Sequence, residues 1–151
     1  MEDLLAFELA ETAQALRRAF DRRAGALGTT RAQWRVLARL ARDDGQRQID
    51  LADSLDVEPI TLCRMIDRLS EAGLVERRDD PADRRARRVH LTAKAAPVVE
   101  SLRGLAETFF AEALSGVGEQ QQEQVRDALR RIRGNLSDGG RGAAPAKGMK
   151  A

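Results

Sequence analysis

Tyrosine is absent from this chain, and aromatic residues together make up only 3% of it. Any core must therefore be built from Ala, Leu, Val and Ile, a composition that favours helix over sheet. The single cysteine, Cys63, excludes an intramolecular disulfide framework and cannot alone form a Cys-rich zinc site. The single histidine, His90, argues against His-based metal sites and Ser-His-Asp chemistry. Aspartates and glutamates are dispersed among arginines, and no pair stands out as a general acid/base couple. The chain therefore reads as a non-enzyme without a cofactor or metal. No window approaches 18 consecutive apolar residues, and the N-terminus lacks a basic region followed by an apolar run. The expectation is a cytoplasmic protein, neither exported nor membrane-spanning.

What is present is an ordinary globular mixture: 151 residues, 42% apolar and 33% charged, enough for one domain or one compact subunit of an oligomer. A net charge of +2 is too small to announce a nucleic-acid partner. The basic residues are 23 arginines against three lysines, and Arg suits forked contacts to phosphates and bases. Distribution says more than the total. Arg84, Arg85, Arg87, Arg88 and Lys94 form an acid-free run, whereas the stretch before it is balanced.

Apolar spacing predicts a series of helices. Leu5, Leu9, Leu16 and Phe20 mark one face of a first helix over 3–24, ended by Gly25 and Gly28. Thr29 and Thr30 can cap a second helix over 31–42, with Trp34, Leu37 and Ala41 on one side. A short third helix begins near Gln48, with Ile49, Leu51, Ala52 and Leu55 as its apolar set. Pro59 sits where a first helical turn tolerates it, opening a fourth helix over 58–72. Leu62, Ile66 and Leu69 line the inner side of that helix, and Thr61, Arg64, Met65 and Arg68 the outer side. After Gly73, residues 74–78 and 87–91 read as two short strands joined by a polar turn, a β-hairpin. Thr92 is a candidate cap for a fifth helix carrying Val98, Leu102, Leu105 and Phe109. A last helix over 118–136 carries Val125, Leu129, Ile132 and Leu136, and the tail from 137 to 151 reads as disordered.

This order of elements is a winged helix-turn-helix, in a chain that is mainly α with a small β-hairpin wing. The fourth helix would offer Thr61, Arg64 and Arg68 to the major groove of double-stranded DNA. The Arg-rich hairpin would reach the adjacent minor groove, whose negative potential draws arginine.

The stretch LADSLDVEPITLCRMIDRLSEAGLVERRDDPADRRARRVHLT, residues 51–92, resembles the MarR family of bacterial regulators. The matching pieces are Leu51-Ala52, the fourth helix with Leu62, Arg64, Asp67 and Leu69, the turn at Gly73, and the wing from Asp80 to Thr92. LGTTRAQW, residues 27–34, and TAKAAP, residues 92–97, resemble the SlyA-like branch. The resemblance spans about residues 5–136 and implies a homodimer. In it, residues 1–28 and 92–136 supply N- and C-terminal dimerisation helices, and 29–91 form the DNA-binding lobe. It also implies a sequence-specific transcriptional regulator, a repressor or an activator, on a pseudo-palindromic operator. Asp83 and Arg85 match the family's Asp-x-Arg wing element, in which the Asp orients the Arg toward the minor groove. Arg64 matches an operator-binding position of SlyA-like members. Arg84 and Arg87 join the interface as wing residues. Arg17 and Trp34 match positions lining a pocket for small aromatic carboxylates or phenolic effectors in that branch.

Plainer readings stand beside these. The run from Arg84 to Arg88 by itself would suit a solvated turn, and alternation along the strand leaves only one of Arg87 and Arg88 facing phosphate. Arg64 has Asp67 as an alternative partner on its own helix surface. Cys63 reads as a small buried hydrophobe; relatives that sense oxidation carry their cysteine in the first helix, where this chain has none. His90 reads as structural or solvated, and Trp34 as either a core aromatic or a ligand wall. The rival function is a nucleoid-type architectural DNA binder with little sequence preference.

Overall fold

The structure is a computed structural model that describes residues 3–138. It divides into two compact units at Ala113. The first contains, in order, α1 (Asp3–Ala26), α2 (Arg31–Arg42), β1 (Gln46–Arg47), α3 (Gln48–Leu55), α4 (Pro59–Glu71), β2 (Val75–Asp79), β3 (Arg87–Leu91) and α5 (Ala95–Ala113). The second contains α6 (Glu119–Asp138). The helix therefore includes residues 137 and 138, assigned above to the tail; residues 139–151 of that tail lie outside the described residues. No helix among the described residues is long and apolar enough to cross a membrane.

Capping chemistry sets the start of α2. The Thr30 hydroxyl accepts from the Gln33 N–H at 3.2 Å, and the Gln33 carboxamide accepts from the Thr30 N–H at 3.1 Å. Two N–H groups that the helix cannot satisfy are thus paired reciprocally. Helix α2 buries Val36, Leu37 and Leu40 against Leu51 and Leu55 of α3 and Leu62, Ile66 and Leu69 of α4. Between α3 and α4 the chain turns sharply at Asp56, which adopts φ 52°, and Pro59 then occupies the first turn of α4, where its missing N–H costs nothing. Ile49, expected in the apolar set of α3, is exposed: it lies in the first turn of the helix, beyond the reach of the buried Leu51 and Ala52.

The expected hairpin is present as β2 and β3, and β1 joins it to make a three-stranded antiparallel wing in the order β1-β3-β2. Val75 pairs with Leu91 and Arg77 with Val89, while Gln46 pairs with Val89 from the other side. Two residues are too few to show a period-two pattern, so only the tertiary approach of residues 46–47 to β3 creates β1. Gly45, at φ +71°, precedes it and lies flat against His90; a Cβ there would sit 2.7 Å from the imidazole. His90 thus packs over a glycine, with Asp44 3.9 Å from its Nδ1.

Thr92 does not cap α5. Its hydroxyl donates to the Gly73 carbonyl at 2.5 Å and its N–H to the Leu74 carbonyl at 3.0 Å, closing the base of the wing. Helix α5 starts three residues later, so Pro97 falls in its first turn, where no N–H is needed. Lys94, counted above in the basic run, donates to the Ala72 carbonyl at the end of α4.

Helices α1 and α5 add Phe20, Leu102 and Phe109 to the core. Phe20 meets Trp34 edge-on at 4.7 Å and Phe109 at 5.5 Å. Arg23 of α1 lies over the Phe109 ring and pairs with Glu112 of α5.

Candidate nucleic-acid interface

Helix α4 has two unlike sides. Leu62, Ile66 and Leu69 have no exposed surface, whereas Thr61, Arg64 and Arg68 are exposed along one ridge. Met65, placed on that ridge by spacing alone, is half-buried and packs on the core. Arg64 does not take Asp67 as partner. Asp67 belongs to Arg77 of β2, whose guanidinium lies 2.7 Å from its carboxylate. Arg77 also donates to the Gln48 side chain at 3.1 Å and to the Cys63 carbonyl at 3.2 Å, with the Cys63 sulfur 3.7 Å away. One half-buried arginine therefore joins α3, α4 and β2. Cys63 is half-buried beside that guanidinium rather than fully enclosed in a core.

The arginines of the wing divide in the same way. Arg88 turns inward, donating to the Gly45 carbonyl at 2.8 Å and lying 3.2 Å from Asp80. Arg47 of β1 approaches the same carboxylate at 2.8 Å. Asp80 is almost fully buried, and its other oxygen accepts from the Ala82 N–H at 2.9 Å. That N–H, then the charges of Arg88 and Arg47, holds the carboxyl below its ordinary range, although desolvation pulls the other way. Arg87 points outward, with only Asp79 near it at 3.8 Å.

At the tip, the Asp83 carboxylate accepts from the Arg85 backbone N–H at 3.0 Å. The Asp thus shapes the turn that presents Arg85; it forms no ion pair with the guanidinium. Among the described residues, Arg64, Arg68, Arg84 and Arg85 have no carboxylate within salt-bridge distance. A groove of about 630 Å³ runs between α4 and the wing, with Ile49, Pro59, Asp67, Asp83, Arg85 and Arg87 on its walls. Spacing and motif had pointed to Thr61, Arg64, Arg68, Asp83, Arg84, Arg85 and Arg87; of these, Asp83, Arg85 and Arg87 line the groove, whereas Thr61, Arg64 and Arg68 on α4 and Arg84 on the wing are exposed but not among its walls. Spacing and motif had not pointed to Arg47 and Asp80, and had left Arg77 and Arg78 as undivided as Arg87 and Arg88. Asp80 looks no different from Asp79 in sequence, and only the strand arrangement brings it to two arginines.

A second cavity, about 360 Å³, lies among α1, α2 and α5. Leu16, Phe20, Trp34, Leu102 and Phe109 form apolar walls, and the exposed Arg17, Arg42 and Arg103 add charge. Trp34 is both core and wall: its ring packs on Phe20 while its indole N–H donates to Asp21 at 2.8 Å. Arg17 reaches back to the Ala13 carbonyl at 3.2 Å. Nearby, burial and then repulsion by Arg31 and Arg17 lower the Arg35 guanidinium from its usual value, against Asp21 and Asp56, which raise it. No group of three or more metal-ligating side chains occurs among the described residues.

The family model described as MarR family matches residues 29–86. The solved structure of the transcriptional regulator PA3341 is 38% identical, with a TM-score of 0.82, covering 89% of this chain and 98% of that one. The transcriptional regulator SlyA is 28% identical, with a TM-score of 0.76 and coverage of 89% and 95%. Apo wild-type MarR from E. coli is 26% identical, with a TM-score of 0.73 and coverage of 85% and 95%. Sequence match and shared architecture coincide on the helix-turn-helix and wing, and the chain belongs to the MarR family of DNA-binding transcriptional regulators.

Proposed function

We propose that the chain is a homodimeric, sequence-specific regulator, of the SlyA-like branch, that binds a pseudo-palindromic operator in the cytoplasm. Residues 29–91 form its DNA-binding lobe, and residues 1–28 and 92–136 its dimerisation helices. Thr61, Arg64 and Arg68 enter the major groove on α4, while the wing carries Arg84, Arg85 and Arg87 to the minor groove and phosphates. Two-fold symmetry would set the paired α4 helices about 34 Å apart, one turn of duplex.

The observation that carries this reading is the division of arginines. Arg47, Arg77 and Arg88 are held by carboxylates and carbonyls inside the wing, whereas Arg64, Arg68, Arg84 and Arg85 are exposed on the outer face. The test is affinity for DNA selected from the chain's own intergenic regions against random duplex at fixed salt. A ratio of about a thousandfold or more is expected for a specific regulator; a ratio near one would leave an architectural binder instead.

The cavity beside Trp34 and Arg17 supports an effector role for small aromatic carboxylates or phenols. Its walls suit an aromatic ring, and its arginines suit a carboxylate. Such a ligand shifts DNA affinity only through unequal binding to the DNA-competent and incompetent spacings of the two lobes. Release of operator DNA in a gel shift by millimolar phenolic acids is the expected result. No release by any of them would remove the effector role.

A further inference from the structure

Two large apolar side chains stand in solvent beside the cationic ridge of α4: Ile60, 66% exposed, and Ile49, 61% exposed. Ile60 is the more informative. It follows Pro59 in the first turn of α4, next to Thr61 and one turn before Arg64. Nothing in helix formation calls for it there, because a β-branched side chain is a middling helix former. Nothing in the core uses it, because Leu62 and Ile66 already supply the buried side of that turn. The exposed surface around it is polar and charged: Thr61, Arg64 and Arg68 share its helix, Glu58 precedes it, and Asp67 on the same helix is already paired with Arg77. Such a surface fits a polyanion that also presents an apolar group.

Duplex DNA has one such group in its major groove, the 5-methyl of thymine. The N-terminal residues of a recognition helix are the ones that reach base edges. We infer that Ile60 is a specificity-determining residue that reads a thymine methyl in each half-site, deepening the reading of α4 as the base-contacting helix on which it rests. Arg68 brings the helix to the groove by charge, and Arg64 reads a base beside it. Ile60 then distinguishes thymine from cytosine by covering a methyl that cytosine lacks.

The experiment begins with operator selection by the full-length protein from random duplexes. Each thymine of the enriched site is then replaced in turn by deoxyuridine, which removes the methyl and keeps the pairing. For the wild type, one thymine per half-site should lose about fourfold in affinity on demethylation, the worth of one buried methyl-sized group. Ile60→Ala should bind the methylated and demethylated sites equally and keep a wild-type circular dichroism spectrum. The exposure of Ile60 makes loss of fold an unexpected outcome, and Ile60→Val, which keeps a branched apolar side chain, should retain methyl sensitivity. Equal demethylation losses in wild type and Ile60→Ala, or no methyl-sensitive thymine, would overturn the role of Ile60 while leaving specific DNA binding intact. Failure of the wild type to enrich any sequence would overturn the base-reading role of α4 and, with it, this inference.

Discussion

Arginine does two different jobs in this molecule, and substitution should separate them. Arg85 has an exposed guanidinium and a backbone held by Asp83. Arg85→Ala should therefore leave stability unchanged and reduce the slope of log affinity against log salt by about one. An unaltered salt slope and affinity would remove the wing from DNA binding. Arg64→Ala should cost about 1–3 kcal/mol on the operator and much less on random DNA if the side chain reads a base. An equal loss on every sequence would reassign it to phosphate. Arg88, held by Gly45 and Asp80, belongs to the other class. The motif made Arg85 legible from the sequence, but Arg87 and Arg88 were indistinguishable there. Alternation puts Arg88 on the face of β3 that carries His90, where the Gly45 carbonyl and Asp80 take it up, and leaves Arg87 on the face of Val89 but at the exposed end of the strand.

Where its strands enter the tip turn, the wing is held by one carboxylate. Asp80 gathers Arg47 from β1, Arg88 from β3 and the Ala82 N–H from the turn. Its folded pKa lies below the unfolded value, so the contribution to stability is complete above the ordinary carboxylate pKa of about 4. That contribution disappears as pH falls through the depressed folded value. Protection of the amides over 79–88, taken against intrinsic exchange at each pH, should accordingly fall in acid before that of α2 and α4. In Asp80→Asn, the same amides should exchange faster at neutral pH and show less of the acid dependence. Identical exchange in variant and wild type would show that the ion pairs do not hold the sheet. Periodicity made α2, α4 and α5 readable because each carries several turns of buried and exposed positions. It could not reveal β1, whose two residues become a strand only beside β3. Nor could it show that Thr92 ties to Gly73 instead of capping α5.

For the whole molecule, the apolar positions that the helix pattern leaves outside the core carry the argument for a dimer. Leu4, Leu5 and Phe7 of α1 are exposed, as are Val125, Ile132 and Leu136 of α6. Surfaces of this kind are expected to be covered in an oligomer. Sedimentation at micromolar concentration should give twice the mass of one chain. Replacing Val125 and Ile132 together by Asp should give single chains with much weaker operator binding, since each half-site alone supplies only one lobe's contacts. A wild-type chain that sediments alone would contradict the proposed two-lobed grip. The cavity among α1, α2 and α5 also belongs to this scale, because residues from all three helices must converge to form it.

The amino-acid order alone determined the succession of helices, the turn at Pro59, the two long wing strands and the candidate DNA face. Those features follow from local rules, in which 3.6- and 2-residue periods and turn chemistry act over a few neighbouring residues. Tertiary structure alone decided which arginines are spent inside the wing, which carboxylate holds them, and that Trp34 is at once core and cavity wall. Arg47 finds Asp80 thirty-three residues away, and Arg88 finds Gly45 at a separation of forty-three. No local pattern specifies a partner at that distance; it is chosen when packing of the buried leucines brings β1 against β3.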